Sequence, residues 1–232
     1  MAENIRFEEL RPSLWPAVER LFGPNGACGG CWCMWWRAES RKIWNEIKGD
    51  GAKKAFKNLI KNGKAHGILA FAGDEPVGWC SLGPRRDFPS LESVRAYKRD
   101  DIGDVWSITC FFIHRKWRGK GLSRALLRAA VEVMQKRGVN TVEAYPSITT
   151  KEGRRLDAFL AYTGTIKIFE EIGFESVQST NPLKPVMRLQ MRSFLENHNS
   201  KYSMLTLNTM IEHERENPLA DSRAYNVILY SC

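Results

Sequence analysis

At 232 residues the chain has room for one substantial core and an appendage, and its 43% hydrophobic and 26% charged residues suit a folded domain. No uninterrupted apolar run approaches ~18 residues, and Met1-Ala2-Glu3-Asn4 lacks the basic-then-apolar layout of a secretory signal, which excludes a membrane span and predicts a cytoplasmic location. The formal net charge of +9 favours an anionic partner without choosing among nucleotide, nucleic acid and membrane surface.

In chain order, residues 4–8 predict a short first strand. Pro12 stands near the start of a helix carrying Leu14, Trp15, Val18 and Leu21 on one face, ended by Gly23-Pro24. The block Gly26-Ala27-Cys28-Gly29-Gly30-Cys31-Trp32-Cys33-Met34-Trp35-Trp36-Arg37 follows, then a helical stretch to about Lys61, broken near Gly49-Asp50-Gly51. Its basic residues, Arg41, Lys42, Lys48, Lys53, Lys54, Lys57, Lys61 and Lys64, read as a solvated helical face, and nucleic acid is disfavoured as a partner.

His66–Phe71 and Val77–Leu82 predict a β-hairpin, and the polar stretch from Gly83 to Asp104 a loop with some helix. Val105–Ile113, rich in β-branched and aromatic residues, is the strongest strand candidate. A helix runs from Leu122 to Arg137 with Leu122, Ala125, Leu126, Ala129, Ala130, Val133 and Met134 on one face, capped by Gly138. Val139–Tyr145 returns as a strand, so the centre is a strand–loop–helix–strand unit with a parallel pair. Thr165–Ile172 predicts a short helix, and Phe174–Val177 with Val186–Met191 a last strand pair. The fold class is α+β with a mixed sheet, a domain over 1–192, and a polar extension over 193–232 of unknown role.

The six cysteines read as free thiols in a reducing compartment, with Cys80 and Cys110 as small core residues. Cys28-x-x-Cys31-x-Cys33 offers three soft ligands where structural zinc takes four, so no metal is expected. Trp32, Trp35 and Trp36 predict either plain aromatic packing or a wall beside a substrate cleft able to accept a cation.

The loop Arg118-Gly119-Lys120-Gly121-Leu122-Ser123 leaves a strand and opens a helix. Its backbone N–H groups lack intrahelical acceptors and sit at the positive end of the helix dipole, which makes an anion site. Glycines at 119 and 121 allow close approach to a diphosphate, and Arg115, Lys116, Arg118 and Lys120 add positive potential. The sequence fits neither the Gly-x-x-x-x-Gly-Lys-Ser/Thr string nor Gly-x-Gly-x-x-Gly, since position 124 is Arg.

With its flanks, this loop resembles the cofactor motif Gln/Arg-x-x-Gly-x-Gly/Ala of the GCN5-related N-acetyltransferase (GNAT) superfamily, with Lys116 at the first position. Phe169-Glu170-Glu171-Ile172-Gly173-Phe174 resembles the family's Tyr-Glu-Lys-x-Gly-Phe, and Pro185–Leu189 its last strand, so that the likeness spans residues 4–192. The strings Cys31–Arg37, Trp106–Ile113, Glu143–Pro146 and Tyr162–Thr165 resemble one bacterial branch of the superfamily, which brings a fold and a cofactor but no substrate.

The resemblance implies a mostly antiparallel twisted sheet with flanking helices and a central splay between two parallel strands. It implies acetyl-CoA as co-substrate, held by Cys110, Phe111, Phe112 and Ile113 on the strand and by Arg118, Gly119, Lys120, Gly121, Leu122 and Ser123 in the loop. A backbone N–H near Cys110 or Phe111 would polarise the thioester carbonyl. The family's late-helix tyrosine is replaced here by Phe169, which leaves Glu143, Tyr145 and Tyr162 as candidate acid or base residues. The expected activity is N-acetyl transfer to a primary amine of a small molecule, peptide or protein, and a homodimer is left open. A non-catalytic acyl-CoA-binding module and a nucleic-acid-associated protein are the competing readings.

Overall fold

The computed structural model describes residues 4–148, 150–151, 154–155, 162–177 and 179–191, so the extension at 193–232 lies outside the described residues. Its strands are β1 (Ile5–Glu9), β2 (His66–Ala72), β3 (Glu75–Pro84), β4 (Val105–Ile113), β5 (Thr141–Ala144), β6 (Thr150–Lys151), β7 (Arg154–Arg155), β8 (Glu175–Val177) and β9 (Val186–Gln190). The helices are α1 (Trp15–Phe22), α2 (Arg41–Ile47), α3 (Asp50–Lys61), α4 (Leu122–Lys136) and α5 (Ile166–Glu170).

Seven strands form one sheet in the order β1-β2-β3-β4-β5-β9-β8. Every neighbouring pair is antiparallel except β4–β5, which α4 connects as a parallel crossover. This is the expected mixed, mostly antiparallel sheet. The parallel register runs only from Val105 opposite Thr141 to Ile108 opposite Ala144, and beyond it the two strands separate.

Side chains alternating along the strands divide the core in two. Ile108 and Phe111 of β4 join Leu122, Leu126, Ala130 and Met134 of α4 on one face. Cys110 and Phe112 face the other way, towards Val18 and Leu21 of α1, Phe56 and Ile60 of α3, and Trp79 of β3. A smaller cluster of Phe88, Leu91, Tyr97, Tyr145 and Val186 closes the lower edge of that second face.

Local chemistry sets the helix ends. Ser40 caps α2 by accepting from the Ile43 N–H at 3.2 Å. Gly138, at φ 73°, ends α4 while Val139 N–H reaches back to the Met134 carbonyl at 3.1 Å, a Schellman closure. The expected break in the second helical stretch falls at Lys48–Gly49, and α3 starts directly at Asp50, where an acidic first turn and Lys61 in the last turn suit the helix dipole.

The stretch after β3 is the expected loop with some helix, holding three short 3-10 turns at Arg85–Asp87, Pro89–Leu91 and Arg95–Tyr97, each with a buried side chain. Two differences from the sequence expectation stand out. A small β6–β7 ribbon occupies part of the segment expected to be loop. Cys31, Cys33, Cys80 and Cys110 are free thiols, but Cys28 is disulfide-bonded.

Candidate active site

The loop between β4 and α4 has the geometry its composition suggests. Gly119 and Gly121 both take positive φ, 73° and 76°, and Gly121 sits in the left-handed region as the residue preceding α4. A Cβ placed on Gly121 meets nothing within 4 Å, so the space in front of the helix end is open. Among the described residues no backbone carbonyl accepts from the N–H groups of residues 119–124. Arg118 ties the loop to β4 through Nε to the Ile113 carbonyl at 3.0 Å, and the Lys120 ammonium lies 4.8 Å from the Trp117 ring centre. Leu122 is buried against the core and anchors the first turn, while Ser123 is half-buried.

The open edge of β4 adjoins this loop. His114 N–H donates to the Val77 carbonyl at 2.9 Å, which fixes the parity of the strand. Backbone groups of an antiparallel strand alternate in direction, so the N–H groups of Phe111 and Ile113 point away from β3, into the gap left where β5 departs. A bulge accompanies the gap. Ser81 faces Cys110 and Leu82 faces Ile108, leaving Thr109 as the extra residue, with its hydroxyl donating to Ser81 Oγ at 3.2 Å.

The expected catalytic candidates divide sharply. Glu143 is fully buried, and its Oε1 accepts from Arg85 Nη1 at 2.8 Å and from the Tyr145 hydroxyl at 2.6 Å, while Oε2 accepts from Arg188 Nε at 2.8 Å. Arg188 also pairs with Asp101, and Arg85 with Glu92 at 2.5 Å. Tyr145 spends its one proton on Glu143 and receives Arg85 Nη1 at 2.5 Å, with Ser107 Oγ at 3.0 Å filling its remaining capacity. Burial, and then the Glu143 carboxylate, push the Tyr145 hydroxyl well above the ordinary phenol value of 10.0. Both residues belong to a closed network whose oxygens are occupied.

Tyr162 differs. It is half-buried, and among the described residues its hydroxyl makes no hydrogen bond. Burial, with the Cys110 and Cys31 thiols and Tyr97 nearby, raises its pKa above 10.0, so the group keeps its proton through the neutral range. Phe169, at the expected late-helix position, is fully buried and packs edge-on to Phe111 and Phe174 at 6.2 and 5.1 Å.

The cysteine block wraps over the same face. Trp32 and Cys33 hold positive φ, 44° and 60°, a conformation that costs an L-residue ~1–2 kcal/mol. Cys33 Sγ accepts from Trp79 Nε1 at 3.3 Å. A hydrogen bond from Cys110, together with Ser81, the Arg37 guanidinium and Trp79, outweighs burial and lowers the Cys33 thiol from 9.0 to about 6. A depressed thiol pKa adds stability that is complete above the unfolded value and is lost as pH falls through the folded one. The melting temperature of the wild type relative to Cys33→Ala should therefore rise between pH 6 and 9; a flat difference across that window would mean that Cys33 stays a thiol. No group of three His, Cys, Asp or Glu side chains among the described residues could hold a metal ion.

Between these elements lies a cavity of about 410 Å³, lined by Trp35, Trp36, Trp44, Tyr97, Tyr145 and Tyr162 among others. Of the three tryptophans for which the sequence leaves open a cleft wall or plain packing, Trp35 and Trp36 line the cavity and Trp32 packs in the core, while Trp44, Tyr97, Arg85 and Arg188 were missed. The helical i, i+3 spacing of Trp44 and Ile47 was the one local signal available, and the two arginines offered none.

A model described as the acetyltransferase (GNAT) family matches residues 32–160. No curated protein matches the sequence. Among solved structures, an acetyltransferase candidate from Acinetobacter baylyi ADP1 is similar over 83% of this chain and 96% of its own, at 15% identity and a TM-score of 0.50. PaiA N-acetyltransferase from Thermoplasma acidophilum, in complex with coenzyme A, aligns over 81% of this chain and 99% of its own, at 16% identity and a TM-score of 0.48. YncA, an acetyltransferase candidate from Salmonella typhimurium with its cofactor acetyl-CoA, aligns over 82% and 95%, at 14% identity and a TM-score of 0.48.

Proposed function

The chain belongs to the acetyltransferase (GNAT) family, and on that premise we propose that it moves an acetyl group from acetyl-CoA to a primary amine by direct transfer. The observation that carries the reading is the pairing of a donor-rich helix end with a free strand edge. The N–H groups at the start of α4, with Arg118 and Lys120, suit a diphosphate, and the gap beside Phe111 and Ile113 suits an extended arm with amide groups of its own. The open space at Gly121 fits such a group.

When bound, acetyl-CoA would supply a thioester whose carbonyl carbon takes up the amine nitrogen as the C–S bond breaks. The Phe111 N–H is directed at the gap and would hold the carbonyl oxygen as it becomes negative. The Tyr162 hydroxyl, still protonated and without a competing acceptor, would give its proton to the departing sulfur. Glu143 and Tyr145 position β5 rather than exchange protons, because three donors already occupy the carboxylate. Among the described residues no lining residue of the cavity is a carboxylate or an imidazole, and the amine would lose its proton to solvent at the mouth.

The test is release of free CoA thiol across an amine panel, alongside the acetyl-CoA-induced rise in melting temperature. Tyr162→Phe should leave that rise intact and lower kcat by about 10²–10⁴-fold, the usual worth of a general acid. Stabilisation by acetyl-CoA without thiol release from any amine would favour the binding module instead.

A further inference from the structure

The cavity that receives the amine carries an unusual balance of charge. Among the described residues its two charged lining residues, Arg41 at the start of α2 and Lys184 in the turn before β9, are both cations. Arg41 lies with its guanidinium 4.7 Å from the Trp35 ring centre, so one aromatic face is already taken by a cation of the protein's own. Two cations around aromatic walls describe a receptor for a flat or apolar body bearing an anion.

From these observations we propose that the acceptor is a small aromatic amine that also carries a carboxylate, of the aromatic amino-acid class. The proposal rests on the acetyl-transfer reading for the same site. The carboxylate meets Arg41 and Lys184, and the ring lies among Trp36, Trp44 and Tyr97. The amine is then left for the Tyr162 end of the cavity. A volume of about 410 Å³ suits one molecule of that size. A polyamine is disfavoured, because each of its ammonium groups would face the two cations with no carboxylate among the described lining residues to offset them.

The test uses four probes on the full chain with saturating CoA for binding and acetyl-CoA for turnover: phenylalanine, phenethylamine, alanine and spermidine. Calorimetry should give phenylalanine an affinity roughly tenfold above phenethylamine, the worth of one charge-assisted contact, with alanine weaker still and spermidine silent. Arg41→Ala combined with Lys184→Ala should bring phenylalanine down to the level of phenethylamine, and the retained acetyl-CoA stabilisation would show that the variant is folded. Equal binding of phenylalanine and phenethylamine, no binding of either, preference for spermidine, or indifference to the double substitution overturns the proposal. Phenylalanine binding with this preference but no thiol release sinks the transfer reading and leaves the acceptor class standing. Thiol release with spermidine alone does the reverse.

Discussion

Gly121→Val should remove the stabilisation that acetyl-CoA confers on the wild type, which at a hundred times the dissociation constant amounts to ~2.7 kcal/mol. Two separate effects combine in this substitution. The backbone at Gly121 has φ 76° and ψ 3°, a left-handed conformation that costs an ordinary L-residue ~1–2 kcal/mol and suits a β-branched one least. A Cβ at this position meets no protein atom within 4 Å, so the added bulk points into the space before α4. Gly121→Asn separates the two, because Asn tolerates the left-handed region while still carrying a Cβ. The Asn variant should melt close to the wild type without ligand and show a much smaller shift with it. Full shifts in both variants would place the diphosphate elsewhere.

Glu143→Ala should destabilise the fold by about 3–5 kcal/mol, the range for removing one partner of a buried ion pair. The cause lies in what remains behind. Arg85, only 2% exposed, would keep contacts to Glu92 and the Tyr97 carbonyl but lose its buried counter-charge, and the Tyr145 hydroxyl would lose its acceptor. Arg188→Ala should cost less, since its guanidinium also reaches the exposed Asp101 and one edge of it is wet. Denaturant titration checks this, with the midpoint moving and the slope unchanged. A base role makes the opposite forecast: Glu143→Gln would fold with wild-type stability and fail only in turnover. Wild-type stability of Glu143→Ala would therefore return the residue to the catalytic list.

The contrast between Glu143 and the phosphate-type loop explains what the sequence could disclose. The loop is local. Its glycines, its cations, the strand before it and the helix after it all lie between Val105 and Lys136, and β4 was legible to the residue. The hairpin of β2 and β3 and the last strand pair were likewise legible within a few residues, because alternation and turn chemistry act over short distances. Glu143 takes its role from Arg85 and Arg188, 58 and 45 positions away, and nothing near it in the chain signals either one. The same holds for the cavity, whose walls come from α2, the turns after β3, the end of β5 and the turn before β9. Aromatic residues in the cysteine block were conspicuous in the sequence, but which of them would face a cavity depended on two consecutive left-handed residues, Trp32 and Cys33, that no propensity would place there.

The four paired residues of β4 and β5 join a leaf of four strands, β1 to β4, to a leaf of three, β5, β9 and β8. Those four pairs are the sheet contact between the two leaves. Arg85 follows the last residue of β3 on the first leaf, whereas Glu143 and Arg188 stand on the second, so the buried ion pair is a clasp across the joint. A ligand lying along the free edge of β4 would act as a strut holding the leaves at one opening. Amide exchange at Val105–Ile108 would then report on ligand and clasp together, each slowing it in the presence of the other.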